Sequence, residues 1–226
     1  MVTSVAETDR TNSRPLAREA PKRALDLAVS LTLIILLAPL LILLTLVVRL
    51  TSPGPALYRQ QRLGRDRKPF TVLKLRTMHV GNDDQIHRDY VTSLLSDGAV
   101  AEAAPTGRSG MYKLGADPRV TRVGAWLRRT SLDELPQLIN VLRGEMSLVG
   151  PRPVLPWEAV LFPDMYLRRF AVKPGITGLW QVSGRSRLSM RTALELDVEY
   201  VLRRSLSYDL NILVRTVPAL FRGGAL

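Results

Sequence analysis

Between Leu27 and Val48 the chain runs for 22 residues without a charge, and every one except Ser30, Thr32, Pro39 and Thr45 is Leu, Ile, Val or Ala. At ~1.5 Å per residue such a run reaches across a ~30 Å hydrocarbon core, so this is membrane material. A cleavable signal peptide fits poorly. Its apolar stretch is shorter, begins nearer the N-terminus and leads to small residues, whereas Arg49-Leu50-Thr51-Ser52-Pro53 follows here.

The flanks restrict how this segment can sit. Residues 1–26 carry five Lys/Arg and residues 49–76 carry eight, so the positive-inside rule wants both ends in the cytoplasm. A straight helix cannot satisfy that. A helix broken at Pro39 can enter and leave by one face, with arms of about 10–12 residues, roughly 15–18 Å each. The carbonyls freed near Ile35 and Leu36 would then need partners, and Ser30 and Thr32 are the local candidates. On the residues alone, the hairpin and a proline-kinked single crossing both stay open.

The 226 residues carry 32 Lys+Arg against 20 Asp+Glu, a net charge of +12 that calls for anionic partners: nucleic acid, phospholipid or phosphorylated substrates. The absence of cysteine excludes a disulfide scaffold, a thiolate metal site and a Cys nucleophile. A His-rich metal site or a Ser-His-Asp triad would have to be built from His79 and His87, which lie in a polar stretch far from the densest motifs. Residues 1–20 read as a disordered polar tail, 21–50 as the membrane segment and 51–226 as a cytoplasmic domain with a mobile insertion at 81–112. The insertion shows no sustained periodicity beyond a turn or two around Tyr90 to Leu95. Phe70 to Arg76 suits a short strand, and helical spacing recurs from Leu135 to Arg143, Ser189 to Arg203 and Leu206 to Phe221. The expected fold is therefore α/β but mostly helical: a membrane segment in one of those two forms, a small domain whose last amphipathic helix suits a core or a membrane surface, and a short β element.

Three constellations carry chemistry. In Leu127-Arg128-Arg129-Thr130-Ser131-Leu132-Asp133-Glu134-Leu135-Pro136-Gln137, two acids open a helix that Arg143-Gly144 closes. Ser131-x-x-Glu134 also matches a capping box, although Pro136 then falls inside the helix, a conflict that a start at Asp133 removes. An ionised Asp133 beside Arg128 and Arg129 can meet a phosphate that the same cations attract. That arrangement suits a carboxylate nucleophile, with Glu134 free to hold a divalent ion. In Gly150-Pro151-Arg152-Pro153 a rigid backbone aims one guanidinium. Lys173 to Arg185 sets a Lys, a Trp and an Arg among glycines, as a ligand loop or as strands joined by turns. Asp197 is an acid on an otherwise apolar helix face, where pairing with a buried Arg is commoner than metal binding.

In order along the chain, Lys22-Arg23-x-x-Asp26, Pro53 to Gly64, Lys74-Leu75-Arg76-Thr77-Met78, Asp117 to Gly124, Ser131 to Gln137, Gly150-Pro151-Arg152-Pro153 and Lys173 to Gly178 resemble the bacterial sugar transferase family, the monotopic polyprenyl-phosphate phosphoglycosyl transferases. The likeness runs from about Lys22 to Val217 and is that of the minimal form, which lacks the extra membrane helices of larger relatives. It departs from the family at Ala38-Pro39, where Ser-Pro is usual, and at Leu75, where Phe is.

The resemblance implies transfer of a sugar 1-phosphate from a UDP-sugar to polyprenyl phosphate with release of UMP, at the cytoplasmic face of the bacterial inner membrane. Asp133 would be the nucleophile and Glu134 a Mg2+ ligand, with Asp197 as a second metal-ligand candidate. Lys74, Arg76, Arg128, Arg152 and Arg185 would be substrate contacts. It also favours the re-entrant helix-break-helix over the single crossing, followed by a small cytoplasmic catalytic domain with amphipathic interfacial helices. Membrane lipid is an expected partner, nucleic acid is not, and a homo-oligomer and the identity of the sugar are left open. The competing class is a non-catalytic, membrane-tethered basic protein that binds anionic lipid or nucleic acid.

Overall fold

The computed structural model describes residues 19–81, 88, 92, 117, 119–184 and 188–221. The polar tail before Glu19, nearly all of the expected insertion, and Arg185 lie outside them. Helix α1, Glu19–Thr51, runs for 33 residues, about 50 Å, and is long and apolar enough to cross a membrane. It continues through Pro39, so the expected break is not an interruption of the helix. An interior proline removes one backbone donor, and the bonds on either side persist. Thr45 and Thr51 donate to Leu41 O and Val47 O one turn back, whereas Ser30, buried and expected to serve the freed carbonyls, has no hydrogen-bond partner for its hydroxyl among the described residues.

Both ends of α1 are seated on the rest of the molecule. Near its start, Lys22 Nζ pairs with Asp209 at 2.6 Å, Arg23 donates to Val141 O and Leu142 O, and Asp26 accepts from Ser147 Oγ and Leu148 N. Near its end, Leu44 and Val48 pack with Ala56, Leu75 and Leu127. Between these anchorages Leu31, Ile35, Leu36, Ile42 and Leu43 are exposed.

After the Pro-Gly-Pro turn comes an antiparallel hairpin of β1 (Leu57–Leu63) and β2 (Pro69–Leu75), the latter covering the expected strand. Helix α2 (Arg122–Thr130) follows, capped by Thr121 Oγ1, then a 3-10 turn at Leu132–Glu134 and α3 (Gln137–Arg143), which Gly144 ends at φ +79°. Strand β3 (Ser147–Val149) pairs in parallel with β4 (Gly175–Thr177), and between them lie the short helix α4 (Pro156–Val160) and a 3-10 segment, Asp164–Ala171. Helices α5 (Leu179–Ser183), α6 (Met190–Arg203) and α7 (Leu206–Phe221) complete the chain. The third constellation is thus one short strand and one short helix.

One core cluster joins Val72, Leu138, Val141, Met146, Leu148 and Tyr200, and a second joins Val154, Phe162, Phe170, Trp180 and Leu194. Helix α7 buries Ile212 but leaves Val214 71 % exposed, along with Leu206, Leu210 and Val217. Most of the apolar residues that pattern its sequence therefore form an outward stripe, with the core contact supplied by the residues between them.

Two glycines fix where the site's cations come to lie. A Cβ on Gly124 would stand 2.1 Å from Thr77 O, and one on Gly150 2.4 Å from Lys173 O, so neither position admits a side chain without moving backbone. Gly150→Ala is expected to cost about 1–3 kcal/mol of stability through this overpacking, read as a lowered denaturant midpoint. A midpoint equal to wild type would show that β3 and β4 can separate freely.

Candidate active site

The 3-10 turn carrying Asp133 and Glu134 is reached through Ser131, a non-glycine residue at φ +58° that caps α2 in the left-handed region. A residue held there signals a conformation fixed by its surroundings. The capping box is not formed, since Ser131 makes no side-chain cap bond, and α3 begins only after Pro136. Pro136 therefore stands before the helix, where its missing N–H breaks nothing.

Asp133 is 5 % exposed and lines a cavity of about 780 Å3. Its neighbour Glu134 accepts from Lys74 Nζ at 2.8 Å and from Arg152 Nη1 at 3.4 Å. Lys74 is the penultimate residue of β2, Arg152 follows β3, and Arg128 rides the last turn of α2 with its Nε on Thr77 Oγ1 at 2.9 Å. Three separate elements thus deliver three cations to two adjacent carboxylates. Burial pushes the Lys74 amine below its ordinary range, and the attraction of Glu134 offsets part of that. Burial lowers Arg128 as well, against the pull of Asp133. On the same wall the buried Asp117 is held below the usual carboxylate range by Arg119, which bonds it through Nε and Nη2 at 2.8 Å each. The cavity extends to Thr45 and Arg49 on α1, so the long apolar helix forms one end of the site.

This arrangement can bind a diphosphate and present a carboxylate to it. Residues 17–223 match the bacterial sugar transferase family. The chain belongs to that family. It is 42% identical over 201 residues to the exopolysaccharide production protein ExoY of Sinorhizobium fredii, which covers 88% of this chain and 84% of that relative. It is 43% identical over 218 residues to the UDP-glucose:undecaprenyl-phosphate glucose-1-phosphate transferase of Caulobacter vibrioides, covering 91% and 73%. Against the Escherichia coli protein of the same description the figures are 39% over 208 residues, 87% and 39%. The chain is a sugar transferase, and the non-catalytic alternative gives way.

The transferase gathers Asp133, Glu134, Lys74, Arg128 and Arg152 as the motifs suggested. Two expected site residues have other company. Arg76 lines the cavity, but its Nη1 donates to Pro55 O and its Nη2 to Ser52 O and Oγ, so it ties down the turn after α1. Asp197, the second metal-ligand candidate, is instead paired with Arg169 at 2.6 Å, as an acid on an apolar face commonly is, and burial raises its carboxyl to about 6 against that pull. No group of three or more His, Cys, Asp or Glu able to hold a metal occurs among the described residues. Magnesium is typically held by one or two carboxylates together with substrate phosphates, and Asp133 with Glu134 fits that smaller donor set.

Three residues that hold the site escaped the sequence reading. Arg62 Nη1 donates to Pro153 O at 3.1 Å, Arg169 to Arg152 O at 2.8 Å, and Tyr200 to Val149 O at 3.0 Å. Only Arg169 left a trace, in the unmatched charge of Asp197.

The charges around Lys74 make its titration a reporter of the site. Glu134→Gln removes the attraction that raises the amine pKa and should move it to lower pH, while Arg152→Gln removes a repulsion and should move it to higher pH. The pH profile of Lys74 acetylation, followed by mass spectrometry, reads both. Equal profiles in all three proteins would mean that these side chains are not in contact in solution.

Proposed function

We propose that this transferase moves a sugar 1-phosphate from a UDP-sugar to an undecaprenyl-type polyprenyl phosphate at the cytoplasmic face of the bacterial inner membrane, in exopolysaccharide or related glycoconjugate assembly. The observation that carries the reading is the buried Asp133 in a cationic cavity that ends on the membrane helix. The names of the Caulobacter and Escherichia relatives, which describe that donor, acceptor and reaction, support it.

In the first step an Asp133 carboxylate oxygen attacks the phosphorus that bears the sugar. A P–O bond to that carboxylate forms, the P–O bond to the UMP phosphate breaks, and UMP leaves. In the second step an oxygen of polyprenyl phosphate attacks the same phosphorus and displaces Asp133, giving polyprenyl-diphosphate-sugar and the free carboxylate. Arg128, Lys74 and Arg152 hold the phosphate oxygens and stabilise charge that shifts between them. A magnesium ion held by Glu134, with Asp133 beside it, would supply further neutralisation of the diphosphate. With such an ion bound, Glu134 would give up its contacts to Lys74 and Arg152, leaving both cations to hold phosphate.

The same reading takes α1 as re-entrant, bending at Pro39 within the lipid while staying helical on both sides. Lys22, Arg23 and Asp26 at one end and Leu44 and Val48 at the other all engage one domain, and both flanks are basic. The exposed stripe of α7 supports a domain resting on the lipid surface.

Asp133→Asn keeps the shape but is a far poorer nucleophile, so turnover should fall on the order of 10³-fold or more with stability changed by less than about 1 kcal/mol. Wild-type protein given UDP-sugar and magnesium without acceptor should gain a sugar-phosphate adduct on Asp133, seen by mass spectrometry. An active Asn variant would sink the nucleophile assignment. For topology, single cysteines at Asn12 and Arg65 should be reached by impermeant thiol reagent only from the cytoplasmic side; labelling from opposite faces would establish a single crossing.

A further inference from the structure

The backbone that aims Arg152 is gripped at every carbonyl. Pro151 O accepts from Gly175 N at 2.9 Å, Pro153 O from Arg62 Nη1 at 3.1 Å and Val154 O from Leu63 N at 2.9 Å. Arg152 O itself accepts from Arg169 Nη2 at 2.8 Å, and the same nitrogen donates to Asp197 Oδ2 at 2.6 Å. Arg169 is 2 % exposed, with its guanidinium 5.2 Å from the Phe162 ring centre and 5.7 Å from that of Phe170.

As a stability device this pair is poor. Arg169 Nε and Nη1 and Asp197 Oδ1 are buried with no hydrogen-bond partner among the described residues. Apolar side chains of similar volume commonly serve a core as well as such a pair or better. What apolar side chains cannot do is donate to the carbonyl of Arg152. Pro151 and Pro153 already restrict the backbone on either side, so fixing that carbonyl leaves the direction of the Arg152 side chain with little freedom.

We propose that Arg169, held by Asp197, is a positioning residue that locks the backbone of Arg152 and so sets where its guanidinium meets the transferred phosphate. The inference rests on the proposed reaction for its kinetic consequence, while the lock itself is measurable without catalysis.

The test replaces the pair by apolar side chains, Arg169→Met with Asp197→Leu, in wild-type and Arg152→Lys backgrounds. Hydrogen exchange of the peptide covering 150–155 should rise at least about tenfold, with α6 still protected. UMP release from UDP-sugar should lose on the order of 10- to 100-fold in kcat/KM, the penalty for a displaced phosphate contact. With Arg152→Lys already present, the same replacement should cost less than roughly threefold more, because both changes damage one function. Unchanged exchange at 150–155, or an equal loss in both backgrounds, would overturn the lock. If wild-type protein releases no UMP, the proposed reaction fails and the exchange result alone judges the lock. Should the double replacement not fold, Arg169→Lys is carried through the same measurements.

Discussion

A single carboxylate oxygen, Glu134 Oε1, receives Lys74 from β2 and Arg152 from the turn after β3. The turn carrying Glu134 is itself held by α2 and α3, so this oxygen ties the hairpin, the two central helices and the parallel β pair together. Each partner is at most about one fifth exposed. At that depth an unpaired charge is costly, and removing one member of such a pair typically costs about 3–5 kcal/mol. The site is therefore also a structural hub. A ligand that takes over either cation has to compensate Glu134 in return.

The second dependence is on α1. Its starting residues make buried polar contacts: Lys22 reaches Val149 O and Asp209, and Asp26 accepts from the first two residues of β3. Tyr200 bonds the same Val149 carbonyl and Asp209, and its hydroxyl proton is held more tightly than in an exposed tyrosine because of burial and the nearby Asp209. Arg152 lies three residues past Val149. The placement of α1 and the placement of Arg152 are thus connected through one short strand. The far end of α1 packs on Leu75, next to Lys74, which brings the long apolar helix to the site from a second direction.

Much of this was legible in the residues. The apolar run, the hairpin strand at Phe70, the helices ending at Arg143 and Arg203 and the α7 span were readable because periodicity and caps are local properties. The cluster of Asp133, Glu134, Lys74, Arg128 and Arg152 was legible only through ordered motifs, since 78 sequence positions separate Lys74 from Arg152. The capping box at Ser131 misled because the pattern ignores backbone sign: the left-handed Ser131 turns its hydroxyl to no cap. Arg76 lines the cavity and also ties the Ser52 and Pro55 carbonyls, a second role that a cation near phosphate-binding motifs does not announce. Side-chain grips on backbone carbonyls, such as those of Arg62 and Arg169, follow no spacing rule and had no signal of their own.

Charge explains why such a site suits an anionic substrate rather than merely tolerating one. Eight Lys and Arg line the cavity against two Asp, and Arg59 and Arg49 at its outer reaches are exposed. Burial disfavours the charged forms of Lys74 and Arg128, and the repulsion of Arg152 adds to both. The hydrogen-bonded framework of the fold meets that cost: Arg76 is anchored to carbonyls, Arg119 to Asp117, and Arg152 through its backbone to Arg169. In the proposed reaction a diphosphate adds negative charge where the imbalance is greatest and meets cations already oriented, so little reorganisation is left for the moment of reaction. The polar anchors are therefore what hold an excess of positive charge in fixed directions around the cavity of the free protein.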